Sequence, residues 1–390
     1  MREIERSREA AARQKIWKNC LLAVFIAAGW FLMGCFLLRM LPGTNAENTP
    51  EGATIQITEN FERKLTNQIG SILEGLIPIR RVYTLSDKDM VAPKPNPVCY
   101  GTAEDPAQLE AVLQEAKLLL DGQKTLFTTD TQIKEDSLIH YYLDETILAV
   151  TWKQAVDDCV YTISEVKVAH PSQFRRFLSD GKYGASAQYT TQEMAGSVNA
   201  VVAASGDYYG YRGYGICINQ GQVYRNRGEL MDTCYIDEKG DLLFSYAGEI
   251  TDKDTAQQFA DDNHVRFSVA FGPVMIRDGE ECVPDVYISG EINDRYARAA
   301  LGQLDTLHYV VVAANMEHPY YEAPTVKQFA QNLMKMGVPT AYALDGGQTA
   351  TIVMNNEVIN TVSYGFQREI SDIIYFATAI PEDEWGEVTE

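Results

Sequence analysis

Cys20 to Leu38 is an unbroken run of 19 residues without a charged or strongly polar side chain. As a helix rising 1.5 Å per residue it would reach roughly 28 Å, the thickness of a bilayer's hydrocarbon core. Arg2, Arg6, Arg8, Arg13, Lys15 and Lys18 precede the run and outnumber Glu3, Glu5 and Glu9, while only Arg39 follows it before a linker containing Pro and Gly. Trp17 stands where interfacial aromatic anchors are enriched. The basic excess predicts a cytoplasmic tail over 1–19, a transmembrane helix over 20–38, and a single-pass protein of the cell membrane whose main domain is extracellular. A cleaved signal would have a shorter apolar region and a small-x-small site, which Gly34-Cys35-Phe36 does not supply.

The remaining sequence reads as a folded chain. Hydrophobic residues make up 46%, enough for a sizeable core, and the net charge is -21 from 33 Lys+Arg and 54 Asp+Glu. Such acidity repels a phosphate backbone, so no nucleic-acid partner is expected. The seven cysteines are odd in number and too few for a disulfide framework. Cys217 and Cys234 flank a region of short strands and could bridge it. Reduced, buried thiols are the simpler alternative.

Residues 39–136 read as an extracytoplasmic linker and helical stalk region. It holds amphipathic segments at 57–77 and 107–120, separated by Pro93, Pro95 and Pro97. Strand-like text is dense across 137–380, and 381–390 is an acidic tail. Val198–Ala204, Leu307–Ala314, Ala341–Leu344 and Ile373–Thr378 read as buried strands, Pro171–Leu178 as a short helix, and Thr351–Met354 with Glu357–Asn360 as a hairpin around Asn355-Asn356. Strand 307–314, helix 325–336 and strand 341–344 form a strand–helix–strand crossover. The expected fold is α+β, a mixed sheet with flanking helices including that crossover, preceded by the transmembrane helix.

Candidate chemistry gathers at strand ends. Ala341–Leu344 runs into Asp345-Gly346-Gly347-Gln348-Thr349, where glycines let a ligand approach the backbone and Asp345 occupies a position that α/β proteins often use. Taken alone, Asp-Gly-Gly is an ordinary turn. If the crossover strands are parallel neighbours, Asn315, Glu317 and Asp345 share one sheet end, with His318 close by. Two carboxylates and an amide can run acid/base hydrolysis or hold a hydrated divalent cation, so a metal ion is one open cofactor reading. A second loop, Ser205-Gly206-Asp207-Tyr208-Tyr209, offers another carboxylate and two rings able to stack on a sugar. Arg298 and Arg368 offer planar forks suited to phosphate oxygens. No HExxH, CxxC, P-loop, GxGxxG or GxSxG motif occurs.

Taken in order, these blocks resemble one family. Val202-Ala-Ala-Ser-Gly-Asp-Tyr-Tyr209, Gly215-Ile-Cys-Ile-Asn-Gln-Gly221, Phe271-Gly-Pro273 with Asp278-Gly279, Arg298-Ala-Ala-Leu-Gly302 and Leu344-Asp-Gly-Gly347 are followed by Asn360 and Arg368-Glu-Ile-Ser371. This succession is similar to the bacterial phosphodiester glycosidases, a family that also includes the animal enzyme removing N-acetylglucosamine from a glycan phosphodiester. The resemblance implies hydrolysis of a sugar-1-phosphodiester at the glycosidic carbon, in an envelope or exopolysaccharide glycan. It makes Asp345, Gly346 and Gly347 part of the substrate pocket and Arg298 and Arg368 its arginines for the phosphodiester. The reading of the residues themselves adds Asn315, Tyr208, Tyr209 and Thr349 as substrate-binding, with the catalytic carboxylate expected among Asp345, Glu317 and Asp207. The chain departs from many members at Gln348-Thr349, at Asn315-Met316-Glu317 and at Ser205-Gly206-Asp207. Two alternatives stay open at this level. One is a non-catalytic domain binding anionic glycans of the cell envelope. The other is a metal-dependent phosphodiesterase cleaving the P–O bond.

Overall fold

The structure, a computed structural model, describes residues 82–288, 291–317 and 321–385. The 20–38 run, the tail before it, the 57–77 segment and His318 lie outside these residues. Among the described residues no helix is long and apolar enough to cross a membrane. The described helices reach 10 residues at most, about half a bilayer span. The expected transmembrane helix over 20–38 falls outside the described residues, and nothing in them supports it, the single-pass cell-membrane placement, the membrane as a partner or the extracellular assignment built on it. The α+β core with flanking helices stands.

In chain order the described elements are β1 (Tyr100–Ala103), α1 (Pro106–Glu115), α2 (Lys117–Leu120), β2 (Ile139–Leu143), β3 (Ile147–Val156), β4 (Cys159–Val168) and β5 (Phe174–Leu178). Next come α3 (Thr191–Ser197), β6 (Val202–Ser205), β7 (Gly215–Asn219), β8 (Gln222–Arg227), β9 (Thr233–Asp237), β10 (Leu242–Ser245), α4 (Lys253–Asp262) and β11 (Val265–Val269). The chain continues with β12 (Val274–Arg277), β13 (Glu280–Glu281), β14 (Arg298–Asp305), β15 (His308–Asn315), α5 (Val326–Lys335), β16 (Thr340–Leu344), β17 (Ile352–Met354), β18 (Glu357–Val358) and β19 (Asp372–Phe376).

Three sheets result. A nine-stranded sheet runs β1-β2-β3-β4-β15-β14-β16-β12-β13, and two five-stranded sheets run β10-β9-β11-β7-β8 and β18-β17-β6-β19-β5. All ten residues of β4 are buried, which explains its nearly unbroken apolar and β-branched text: both faces of the large sheet are covered. One face packs against α1, α2 and α5, with Leu109, Tyr161, Phe329 and Leu333 in a common cluster. The other packs against the two smaller sheets through Phe174, Tyr309, Ile352 and Phe376. Helices α3 and α4 close the far sides of the smaller sheets.

The crossover helix α5 starts at Thr325, whose Oγ1 accepts from Gln328 N at 3.1 Å, and buries Val326, Phe329, Ala330 and Leu333 on one face. Gly337, at φ 98, ends it. The strands that α5 joins are parallel, as each pairs antiparallel with β14, but β14 lies between them. They are therefore not neighbours. The inserted strand places Arg298 at the sheet end where β15 and β16 finish: Arg298 pairs with Ala314, and Ala299 with Leu344.

Other sequence expectations change. Pro171–Leu178 is a single turn followed by β5, which pairs with β19 from Phe174↔Phe376 to Leu178↔Asp372. Residues 100–120, read as stalk, supply β1 at the edge of the large sheet and helices in its core. Asp105 caps α1 by accepting from Ala107 and Gln108 amides, with Pro106 at the first helical position. Leu109 is fully buried. Leu109→Ala should therefore cost about 2–5 kcal/mol of stability by denaturant unfolding, whereas a detachable stalk would give almost no change. Cys217 and Cys234 are free, as are the other described cysteines. They sit on β7 and β9 with β11 between them, too far apart to bridge.

Candidate active site

The site forms where the three sheets meet. Strand β6 ends in Ser205 and strand β16 in Leu344, and the loops that follow cross. Asp345 N donates to Gly206 O at 3.4 Å, and Ser205 Oγ donates to Asp345 O at 3.2 Å. Asp207 and Asp345, far apart in sequence, are thereby brought together beside β19, which pairs with β6.

Beneath this crossing lies a buried charge cluster. Arg176 on β5 donates from Nε to Asp372 Oδ2 at 2.7 Å and from Nη2 to Asp207 Oδ2 at 3.1 Å, with all three side chains fully buried. Its Nη1 donates to the Ser268 carbonyl of β11. Asp207 also accepts from the amides of Ala270 and Tyr209, and Asp207 N donates to Asp372 Oδ1 at 3.1 Å. Burial pushes the Asp372 carboxyl up, and Arg176 only partly opposes this. Two acids and one arginine thus lock the two five-stranded sheets together. Gly206 is required here because a Cβ would stand 2.3 Å from an Asp372 oxygen.

Asp345 is in a different situation. Burial pushes its carboxyl up to about 6, against the opposing pull of Arg368, a hydrogen bond from Thr349 and the positive charge of Arg212. Arg368 Nη2 donates to its Oδ2 at 2.6 Å. The Arg368 guanidinium lies 5.1 Å from the Tyr208 ring centroid and 5.4 Å from that of Tyr211, and these two rings stack at 4.6 Å. Arg212 faces the other part of this platform, 4.7 Å from Tyr208, 4.8 Å from Phe271 and 5.6 Å from Tyr214. Gly347 has φ 67, a conformation glycine adopts without strain, and Thr349 Oγ1 donates to Gly346 O at 2.7 Å to close the turn.

The remaining sequence candidates separate. Arg298 donates from Nη2 to the carbonyls of Glu291 at 2.6 Å and Asp294 at 2.8 Å, so it anchors the loop before β14. Its backbone lies directly under Gly346. Tyr209 turns inward and stacks on Tyr183 at 5.3 Å, leaving Tyr208 at the cleft. Asn315 accepts from Asn360 Nδ2 at 2.8 Å, which ties β15 to the turn carrying Ala350. Glu317 is held elsewhere. It accepts from Thr361 at 2.8 Å and from Lys153 at 3.1 Å, with Lys134 at 3.4 Å. Burial raises its pKa, but these partners outweigh burial and hold it low. Among the described residues no group of three or more His, Cys, Asp or Glu is placed to hold a metal ion. The divalent-cation reading and the metal-dependent P–O cleavage built on it therefore find no support among the described residues.

Residues 198–377 match the model of the family described as phosphodiester glycosidase. This stretch is a phosphodiester glycosidase domain. The phosphodiester glycosidase domain thus takes in β6 to β19, and with them the Asp207 loop, Arg212, Asp345, Arg368 and Asp372. Arg176 lies before the matched stretch and is brought to it by β5. An SPbeta prophage-derived uncharacterized protein, YomE, of Bacillus subtilis (strain 168) is 21% identical over 277 residues, covering 69% of this chain and 40% of its own length. This chain therefore spans well under half of that relative. The catalytic domain of zebrafish N-acetylglucosamine-1-phosphodiester alpha-N-acetylglucosaminidase, auto-inhibited by pro-peptide, is similar at 18% identity and a TM-score of 0.49, over 67% of this chain and 93% of that one. A hypothetical protein from Synechocystis is similar at 12% identity and a TM-score of 0.44, over 64% of each chain.

Sequence reasoning did not find Arg176, Asp372 or Arg212. Reading 171–178 as a helix hid the alternation of β5 that turns Arg176 inward. For Arg212 a signal exists: it stands within Tyr208-Tyr-Gly-Tyr-Arg-Gly-Tyr214, a density of rings around one cation.

Proposed function

We propose that this phosphodiester glycosidase domain hydrolyses a sugar-1-phosphodiester at the bond between the anomeric carbon and the phosphate oxygen. The observation that carries this reading is Asp345, a buried carboxyl brought to about 6 and paired with Arg368 at 2.6 Å beside an aromatic platform. Such a group is ionised near neutral pH yet basic enough to take a proton. Water forms the new bond to the anomeric carbon and gives its proton to Asp345. The C–O bond to phosphate breaks, and the phosphate monoester leaves with the electron pair. A phosphate leaving group needs its charge neutralised more than it needs a proton, which suits an arginine-rich cleft.

Within this reading Asp345 is the catalytic base and Arg368 holds it in place, next to Tyr208 as a stacking surface for the sugar. Gly346, Gly347 and Thr349 shape the turn that presents Asp345. Asp207 positions the Tyr208 loop through Arg176, Ala270 and the Tyr209 amide, and takes no part in proton transfer. Glu317, committed to two lysines, braces the end of β15, and Arg298 braces the loop under Gly346.

Hydrolysis of a sugar-1-phosphodiester in ¹⁸O-labelled water tests the reading. Label is expected in the released sugar. Label in the phosphate, or saturable binding without any released sugar, would overturn it.

A further inference from the structure

We infer that Arg212 is the phosphate-binding residue of this cleft, and so determines its selectivity for anionic over neutral glycosides. The inference rests on the hydrolytic reading above for the identity of the molecule that carries the phosphate.

The argument starts from what each arginine of the site does with its donors. Arg176 is committed to two carboxylates, Arg225 to three backbone carbonyls, Arg298 to two backbone carbonyls and Arg368 to Asp345. Arg212 differs from all of them. Its one hydrogen bond is from Nη1 to the Met231 thioether at 3.8 Å; a buried donor without a partner is shared with Arg225, Arg298 and Arg368, but Arg212 alone among these arginines has no donor on an oxygen. No carboxylate pairs with it among the described residues.

A guanidinium without an oxygen acceptor is costly to desolvate, and three ring faces offset that only in part. The same rings fix its plane: Tyr208, Tyr214 and Phe271 surround it. Its backbone is fixed as well, since Arg225 Nη1 donates to Arg212 O at 2.6 Å and to Tyr209 O at 2.8 Å. The fork is therefore preorganised before anything binds, which lowers the ordering cost of a ligand.

Position completes the case. Arg212 and Arg368 both face the Tyr208 ring, and Arg212 is near enough to Asp345 to pull its carboxyl down. An anion on Arg212 would thus lie beside the proposed base. Arg368 spends its Nη2 on Asp345, whereas no donor of Arg212 is spent on an oxygen, which leaves its whole charge-assisted fork for phosphate oxygens.

The experiment has two arms, using the full chain as wild type, Arg212→Met and Arg212→Lys. In the first, inorganic phosphate is titrated calorimetrically at pH 7. Wild type should bind, and Arg212→Met should bind at least ~10-fold more weakly, with Arg212→Lys between them, because an ammonium keeps the charge and loses the fork. In the second, KM is measured for a sugar-1-phosphate methyl ester and for a neutral nitrophenyl glycoside of the same sugar. Arg212→Met should raise KM for the ester about 10- to 100-fold, a far larger rise than for the neutral substrate. Melting temperatures should stay within ~3 °C, since Arg212 bonds no oxygen that its loss would orphan. Failure of wild type to bind phosphate, unchanged affinity in Arg212→Met, or equal losses on both substrates would overturn the assignment. If wild type hydrolyses neither substrate, the hydrolytic reading fails while the phosphate titration still decides Arg212.

Discussion

Asp345→Asn should lower turnover of a sugar-1-phosphodiester by about 10²- to 10⁴-fold while the protein stays folded. Asparagine keeps the shape and can still accept from Arg368, but it cannot take a proton from water. Stability should not suffer. Burial raises the Asp345 carboxyl from 3.8 to about 6, so the folded protein binds a proton there between these values that the unfolded chain does not. By linkage this group favours folding at low pH, and its contribution declines as pH rises from about 4 through about 6. The neutral amide removes that decline. Thermal melts across pH 4–8 check this arm, and single-turnover assays check the first. The same titration fixes the rate profile. A base must be ionised, so kcat/KM should rise with pH through about 6, whereas a descending limb there would make Asp345 an acid and contradict its role. Arg368, Thr349 and Arg212 pull the carboxyl down and Asp207 pushes it up. Arg368→Gln removes one of the downward pulls and should move the ascending limb to higher pH.

Arg176→Met should destabilise the fold by about 3–5 kcal/mol near neutral pH. The substitution leaves Asp207 and Asp372 facing each other with both side chains fully buried and no cation between them. The sign of the pH dependence follows. Without Arg176 the already raised Asp372 carboxyl rises further, and an acid raised in the folded state costs more stability as pH increases. The loss should therefore be smaller at pH 5 than at pH 8 in urea unfolding. A loss under about 1 kcal/mol, or one independent of pH, would show that the cluster is not what locks the two five-stranded sheets. A contrast with Leu109→Ala is informative, because deleting an apolar side chain carries no such pH dependence.

Much of the site was legible because its backbone signals are local. A buried strand running into Asp345-Gly346-Gly347 can be read in a few residues, as can Ser205-Gly206-Asp207 after β6. What could not be read was which carboxylate would be left reactive. Asp207, Glu317 and Asp345 look alike in sequence, yet Asp207 meets Arg176 and two amides, Glu317 meets two lysines, and Asp345 meets one arginine under heavy desolvation. Those partners come from β5, β3 and the segment before β19. The crossover was similarly half legible: hydrophobic periodicity marks β15, α5 and β16, while nothing local says that β14 inserts between the two strands.

The sequence by itself determined the class of fold and the family, because strand and helix periodicities and ordered loop motifs are short-range properties of the chain. It also pointed to the 20–38 run, which lies outside the described residues, and to an acidic chain that needs local arginines to hold an anion. Only the tertiary structure decided which arginine is free to do so. Arg176 and Arg368 are answered by carboxylates brought to them by the fold, Arg298 by carbonyls of the loop before it, and Arg212 is caged by rings with no oxygen acceptor. A side chain's remaining hydrogen-bonding capacity is set by everything packed around it, and that is a property of the folded molecule, not of the chain.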